Sequence, residues 1–377
     1  MDLSKLPAKN IASCSSGEAV FQRIYEIYRH NITRINQYFE NVIIKNQKHA
    51  LSAGKGYYPY VAAHIKPENL NVDARLSFGV AIDPGIYGTT VTHPGIFEDY
   101  YKEQFDSMIQ HHDISIYVGE SFEEIPFPFA DEGNMSKVSA EHIVPINQHF
   151  AWPDLSRIDD HIANNTKIFG PSDILPLSLF TAERIDYSLH RLHHYTGTSP
   201  KHFQGFILLT NYQRYVNEFI DYAKAQISCE SGYTSFVMPG DYEIYNPHYH
   251  KQEETGLKLQ DLPQMPAYHL KRADKQGITF INIGVGPSNA KTITDHLAVL
   301  RPHCWLMLGH CAGLRRSQFL GDYVLAHAYV REDHVLDMDL PLSTPIPAIA
   351  EVQVALEEAV TNITGQHGHD LKSRMRT

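Results

Sequence analysis

The chain has 377 residues, 43% hydrophobic and 20% charged, ordinary proportions for a protein able to bury a large core. Its length predicts roughly two or three domains at about 100–200 residues each. With 32 Lys plus Arg against 43 Asp plus Glu, the formal charge of −11 argues against a basic stripe for a nucleic-acid polymer or an anionic membrane. Four cysteines (Cys14, Cys229, Cys304, Cys311) form no CxxC pair, which fits a reducing compartment. The opening residues lack the apolar core of a signal peptide and no run approaches bilayer length, so the expected location is cytoplasmic.

In chain order, residues 18–50 predict a helix, with Val20, Ile24, Ile27, Tyr28, Ile32, Ile35 and Phe39 near a 3.6 period. Residues 57–65 and 76–82 fit strands, and Asp83-Pro84-Gly85 marks a turn. Thr89–Thr92 is strand-like, Pro94–His111 helix-like, and Ile114–Val118 alternates again. These elements predict an α+β domain over 1–130, followed by a connecting region over 131–203. A second register begins at 204. Phe206–Leu209 is a buried-strand run, and Tyr215, Val216, Phe219, Ile220 and Ala223 mark a helix face. Residues 228–266 are polar and proline-rich and predict a long loop with one short strand at Thr234–Met238. Ile278–Ile283 predicts a strand. Ser288 suits an N-cap for a helix with Ala290, Ile293, Leu297 and Leu300 inward, which Pro302 stops. Trp305–Leu308 and Tyr323–Tyr329 predict strands. Pro347 opens a last helix with Ile349, Val352, Leu356 and Val360 inward. Over 204–377 the alternation predicts an α/β fold, a mostly parallel sheet with flanking helices.

The candidate chemistry sits in three turns, each after a predicted strand. Thr210-Asn211-Tyr212-Gln213-Arg214 offers an Arg suited to bidentate phosphate capture, although an Arg in a turn is more often a surface residue. Gly284-Val-Gly286-Pro287-Ser288-Asn-Ala-Lys-Thr fits neither a P-loop, which needs Gly where Ala290 stands, nor a dinucleotide fingerprint, which Asn289 and Pro287 break. What survives is a glycine turn feeding a helix N-terminus, open to a weak anion preference or to tight packing alone. His310 and Cys311 in the third turn, with Gly313 and Arg315 after them, could orient a sugar and a phosphate or merely pack. No HExxH-type metal spacing occurs. His248 and His250 flank Tyr249 as a metal pair or, more simply, a solvent loop. Parallel strands bring such turns to one end of a sheet, so a shared pocket is expected.

Six segments closely resemble the AMP nucleosidase family: Tyr195-Thr-Gly-Thr, Leu209-Thr-Asn-Tyr-Gln-Arg-Tyr-Val, Asn282-Ile-Gly-Val-Gly-Pro-Ser-Asn-Ala-Lys-Thr, Asp295-His-Leu-Ala-Val-Leu-Arg-Pro, Gly309-His-Cys-Ala-Gly-Leu-Arg and Gly321-Asp-Tyr-Val-Leu-Ala-His-Ala-Tyr. Tyr87-Gly-Thr-Thr-Val-Thr and Glu124-Ile-Pro-Phe-Pro look like that family's N-terminal regulatory domain. The resemblance implies a purine nucleoside phosphorylase-like fold over 204–377. It also implies hydrolysis of AMP to adenine and ribose 5-phosphate through an oxocarbenium-like transition state. The purine would be protonated by a tuned carboxylic acid. It further implies no cofactor for the chemistry, ATP (with or without magnesium) and phosphate as allosteric effectors, and a homo-oligomer, a hexamer by resemblance. Carried over by position, Asn211, Tyr212 and Arg214 line a phosphate or nucleophile pocket. Gly284, Gly286, Pro287 and Ser288 line sugar and base, and His310, Cys311, Gly313 and Arg315 close the floor.

One departure concerns the catalytic acid. The family's Met-Glu and Ser-Asp segments lie C-terminal to the last helix here, and no Met-Glu pair occurs in this sequence. No catalytic residue is therefore assigned, and the C-terminal domain is expected to be incomplete. Two other readings stay open: a purine nucleoside phosphorylase, which would need phosphate, and a nucleotide-binding regulatory subunit without chemistry. The chain alone is expected to be catalytically impaired or inactive; robust AMP hydrolysis by the purified chain would contradict this.

Overall fold

The computed structural model describes residues 3–46, 54–71, 79–130, 138–251, 254–330 and 340–376. The chain divides into two compact units, Met1–His194 and Tyr195–Thr377.

The first unit runs β1 (Ala8–Cys14), α1 (Gly17–Tyr38), β2 (Tyr57–Ile65), β3 (Gly85–Thr90), α2 (Glu98–His112), β4 (Ile116–Glu124), α3 (Phe127–Ala130), α4 (Ile143–His149), β5 (Leu175–Pro176) and α5 (Ala182–Thr196). Its five-stranded sheet has the order β1-β4-β2-β3-β5, antiparallel except for the β3–β5 pair. Helix α1 starts where the Ser16 hydroxyl accepts from the Ala19 amide at 3.2 Å, and it buries Val20, Ile24, Tyr28, Ile32 and Ile35 along one face. It continues into a π-helical turn over Phe39–Ile44, so the helix expected over 18–50 extends to residue 44, with 47–50 outside the described residues. Buried Asn31 joins this helix to the sheet: its amide donates to Glu120 Oε2 at 3.1 Å, and its carbonyl accepts from the Tyr57 amide at 3.1 Å. The core centres on Phe39, Phe127 and Phe150, with ring centroids 4.9 and 4.6 Å apart in sequence.

Of the two strands expected over 57–65 and 76–82, the first is β2. Residues 79–82 are irregular, and 76–78 lie outside the described residues. The segment 131–203, read above as a connector, contributes to this unit: Ile146 and Phe150 join its core and β5 pairs with β3.

The second unit contains β6 (Phe206–Thr210), α6 (Gln213–Ile227), β7 (Ser235–Met238), β8 (Tyr242–Tyr245), β9 (Glu254–Thr255), β10 (Ala267–Lys271), β11 (Ile278–Asn282), α7 (Pro287–Leu297), β12 (Cys304–Leu308) and α8 (Ala350–Thr364). Its seven-stranded sheet has the order β12-β6-β11-β10-β7-β8-β9. The α/β expectation holds, and within this sheet the parallel pairs are β12–β6 and β6–β11. The other pairings are antiparallel, so the sheet is mixed. The short strand expected over Thr234–Met238 is β7, whereas β8 and β9 lie in the segment expected to be loop and β10 follows it, because polar residues interrupt their hydrophobic pattern. Glu243, Ser235 and His269 are all buried there. The Ser235 hydroxyl and Lys271 ammonium donate to Glu243 Oε1 at 2.6 and 2.8 Å. Such strands hide polar groups by pairing them, which hydropathy alone cannot reveal.

Helix α6 lays Val216, Phe219, Ala223 and Ile227 on Phe236, Tyr268, Leu270 and Phe280. Helix α7 begins at Pro287 with Gly286 as its N-cap, so Ser288 lies inside the first turn and does not cap. The strand expected over 323–329 is represented by two-residue strands at its ends. Pro347 belongs to a short ladder with Ala328, and α8 begins only at Ala350. Within α8 only Val360 is buried, and Ile349 before it is 64% exposed. Phe280 is sealed and stacks on Phe219 with centroids 4.8 Å apart. Phe280→Ala is expected to destabilise this unit by about 3–5 kcal/mol, read as a lowered urea midpoint.

Candidate functional site

The register of the parallel strands puts the three turns in one place. Thr210 pairs with Asn282 of β11 on one side and with Leu308 of β12 on the other, so all three strands end level. The turns 211–212, 283–286 and 309–314 therefore leave from adjacent carboxyl ends, the end of an α/β sheet where ligands are held. Thr210 is sealed from solvent and ties the three exits together. Its hydroxyl donates to the Leu308 carbonyl at 3.1 Å and accepts from the Tyr212 amide at 3.2 Å. Its carbonyl accepts from the Ile283 amide at 2.8 Å.

Side chains complete the connection. The Asn282 amide donates to Gln213 Oε1 at 3.2 Å, and its carbonyl accepts from the Gly284 amide at 3.1 Å. The Tyr212 ring lies 4.2 Å from the His310 ring, with Tyr215 edge-on to His310 at 5.4 Å. Asn211 Oδ1 is buried and accepts no hydrogen bond among the described residues, an arrangement that burial normally penalises. Arg214 is exposed in the first turn of α6. Asn289, the residue that breaks a dinucleotide fingerprint, instead clamps the glycine turn: its amide donates to the Ile283 and Val285 carbonyls at 3.0 and 3.3 Å.

The two glycines serve backbone shape and not packing room. Gly284 has φ +67°, and Gly286 has φ +114° with ψ +148°, a region that only glycine occupies readily. A Cβ at Gly286 would meet nothing nearer than the Ser288 hydroxyl at 3.9 Å. This backbone path delivers Pro287 as the first residue of α7, where its missing N–H costs nothing. Helices α6 and α7 thus both start beside this sheet end. Neither has a side-chain cap or an acidic residue in its first turn. Their unpaired N–H groups and dipoles favour an anion.

Not every expected residue joins this constellation. Asn211, Tyr212, Gly284 and His310 belong to its connected part, and Gly286, Pro287 and Ser288 form the rim where α7 starts. Cys311 is exposed, while Gly313 and Arg315 pack on Gln318, whose Oε1 accepts from the Arg315 amide at 2.8 Å. Thr210, Gln213, Asn282 and Asn289 were missed by reasoning from motifs. For Thr210 and Asn282 the available signal was a polar residue closing the buried strands β6 and β11. Behind the site, fully buried His269 joins Thr198 and Thr279, its Nε2 and Nδ1 standing 2.8 and 2.9 Å from their hydroxyls. Burial pushes its pKa well down, so the ring is a neutral strut.

Among the described residues no group of three His, Cys, Asp or Glu side chains is placed to hold a metal ion. His248 and His250 are exposed in the turn after β8. No helix among the described residues is long and apolar enough to cross a membrane.

Residues 19–173 match the family model described as "Bacterial AMP nucleoside phosphorylase N-terminus". The chain is 42% identical over 355 residues to the AMP nucleosidase of Escherichia coli K12, spanning 93% of this chain and 73% of that protein. The chain belongs to the AMP nucleosidase family. The Escherichia coli O157:H7 protein of the same name matches equally. A solved structure of AMP nucleosidase from Bacteroides thetaiotaomicron VPI-5482 is 26% identical with a TM-score of 0.35, over 48% of this chain and 64% of that one.

Within this family member, the glycine turn can be tested directly. Gly286→Ala would force a side chain into a glycine-only conformation. It is expected to cost about 1–3 kcal/mol, measured by chemical unfolding, and to displace the start of α7.

Proposed function

We propose that the strand-end turns of the second unit bind AMP and that the chain cleaves its N-glycosidic bond with water, giving adenine and ribose 5-phosphate. The observation that carries this reading is the common level of β12, β6 and β11, which gathers three polar turns and two uncapped helix starts at one sheet end. A monophosphate suits that end. Arg214 would pair with it bidentately, assisted by the N–H groups opening α6 and α7. Asn211, with its unpaired buried oxygen, would accept from a ribose hydroxyl. Gly284, Gly286, Pro287 and Ser288 would form the wall beside sugar and base, where a glycine backbone permits close approach. Tyr212 and His310, their rings tilted against each other, offer an aromatic surface, with Cys311, Gly313 and Arg315 beyond them.

Cleavage builds positive charge on the ribose and negative charge on the leaving purine. Protonation of the base and shelter of the cation are therefore the steps needing catalysis. Residues 211–214, 283–288 and 309–314 contain no Asp or Glu, so these turns supply binding and orientation and not the acid. ATP, with or without magnesium, and phosphate are proposed as effectors, and a homo-oligomer as the working assembly.

Purified chain incubated with AMP is expected to release adenine and ribose 5-phosphate without added phosphate. Phosphate-dependent formation of a ribose bisphosphate would indicate a phosphorylase, and AMP binding without any adenine release would indicate a regulatory protein. Arg214→Ala is expected to weaken AMP binding by about 10–100-fold, the loss of charge-assisted hydrogen bonds worth ~1.5–3 kcal/mol. Calorimetric titration checks this.

A further inference from the structure

Thr210 closes β6 with its side chain sealed from solvent, and its hydroxyl bonds to backbone on two sides. It accepts from the Tyr212 amide at 3.2 Å, two residues on, which closes a tight bend about Asn211. It donates to the Leu308 carbonyl at 3.1 Å, at the end of the neighbouring strand β12. One oxygen thus fixes backbone in two different turns: the chain entering Tyr212, and the chain leaving β12 for Gly309 and His310.

Those two stretches carry the aromatic contact of the site. The Tyr212 ring lies beside Gly309, where a Cβ would come within 4.0 Å of Tyr212 Cε2. Its centroid is 4.2 Å from that of His310. Tyr212 is half-buried and His310 exposed, so neither ring is sealed in the core and their separation follows from the backbone beneath them. Asn211, with its buried and unpartnered Oδ1, is the residue enclosed by the bend. Three candidate site residues therefore depend on a hydroxyl that lies beneath the surface, out of reach of a bound nucleotide.

We propose that Thr210 is a positioning residue for the nucleotide, its hydroxyl holding Asn211, Tyr212 and His310 in the arrangement that binds AMP, an inference that rests on reading this sheet end as an AMP site. Shape and hydrogen bonding can be separated at this position. Valine has the same branched outline, suits a strand and stays buried, but it leaves the Tyr212 amide and the Leu308 carbonyl without this partner. Serine loses a methyl group and keeps the oxygen. The Ile283 amide bonds to the Thr210 backbone carbonyl at 2.8 Å, a link to the glycine turn that both substitutions keep.

The test compares the wild-type chain, Thr210→Val and Thr210→Ser by calorimetric titration with AMP and by NMR of the His310 ring. Thr210→Val is expected to bind AMP about tenfold more weakly, and to shift the His310 ring signals before AMP is added. Thr210→Ser is expected to recover most of the affinity and the wild-type ring signals. A merely structural role predicts the opposite order, because serine gives up buried apolar surface and valine does not. Equal affinity in the wild type and the Val variant, or a Ser variant no tighter than the Val variant, would overturn this inference alone. A wild-type chain that binds no AMP would overturn the reading of the site along with it. Should the Val variant not fold, hydrogen exchange of the wild-type Tyr212 amide decides. Protection of at least about tenfold supports the bond to Thr210, and exchange at the intrinsic rate overturns it.

Discussion

The common level at which β12, β6 and β11 end is the constraint from which the second unit's chemistry follows. Parallel pairing fixes it, and Thr210 locks it by bonding to the exits of both neighbouring strands. A slip of one residue would turn Leu209 outward and bury a different set, so hydrophobic burial and site geometry enforce the same register. Phe280, Phe219 and Phe236 supply the packing that makes such a slip costly. The turns can then carry polar and glycine residues without endangering the fold, because the strands beneath them are already held.

Buried polar groups brace each unit. In the second unit, His269 and the Lys271–Glu243–Ser235 group satisfy one another and act as struts. In the first unit, Asp186 is held by the Tyr58 and Thr92 hydroxyls with the His93 imidazole beside it, and Asn31 pins α1 to the sheet. Each such satisfied polar group specifies one arrangement of the elements it joins.

Much of this was legible in the sequence. Long apolar periodicity gave α1, α2, α6 and α7, and unbroken hydrophobic runs gave β6, β11 and β12. The three candidate turns were found because each follows one of those runs. The motifs of residues 195–198, 209–216, 282–292 and 309–315 pointed to the family that the relatives then established. What stayed hidden has a physical reason. Strands β8 and β10 bury Glu243 and His269, so their hydropathy resembles that of a loop. Ser288 looked like a cap because spacing cannot reveal that Gly286 takes a backbone shape open only to glycine. Thr210 and Asn282 escaped notice because their importance lies in pairing register, which a single strand does not display. Of the inward face expected for the last helix, Val360 is buried and Val352 and Leu356 half-buried, while Ile349 precedes α8 and is exposed.

The central claim is that one hollow at this sheet end receives a nucleoside monophosphate. Backbone amide shifts recorded by NMR during titration with AMP test it most directly. The account predicts saturable, concerted shifts at residues 211–214, 284–286, 288 and 310, sharing one dissociation constant and accompanied by the His310 ring. Shifts confined to other residues, or different affinities for the three turns, would contradict it.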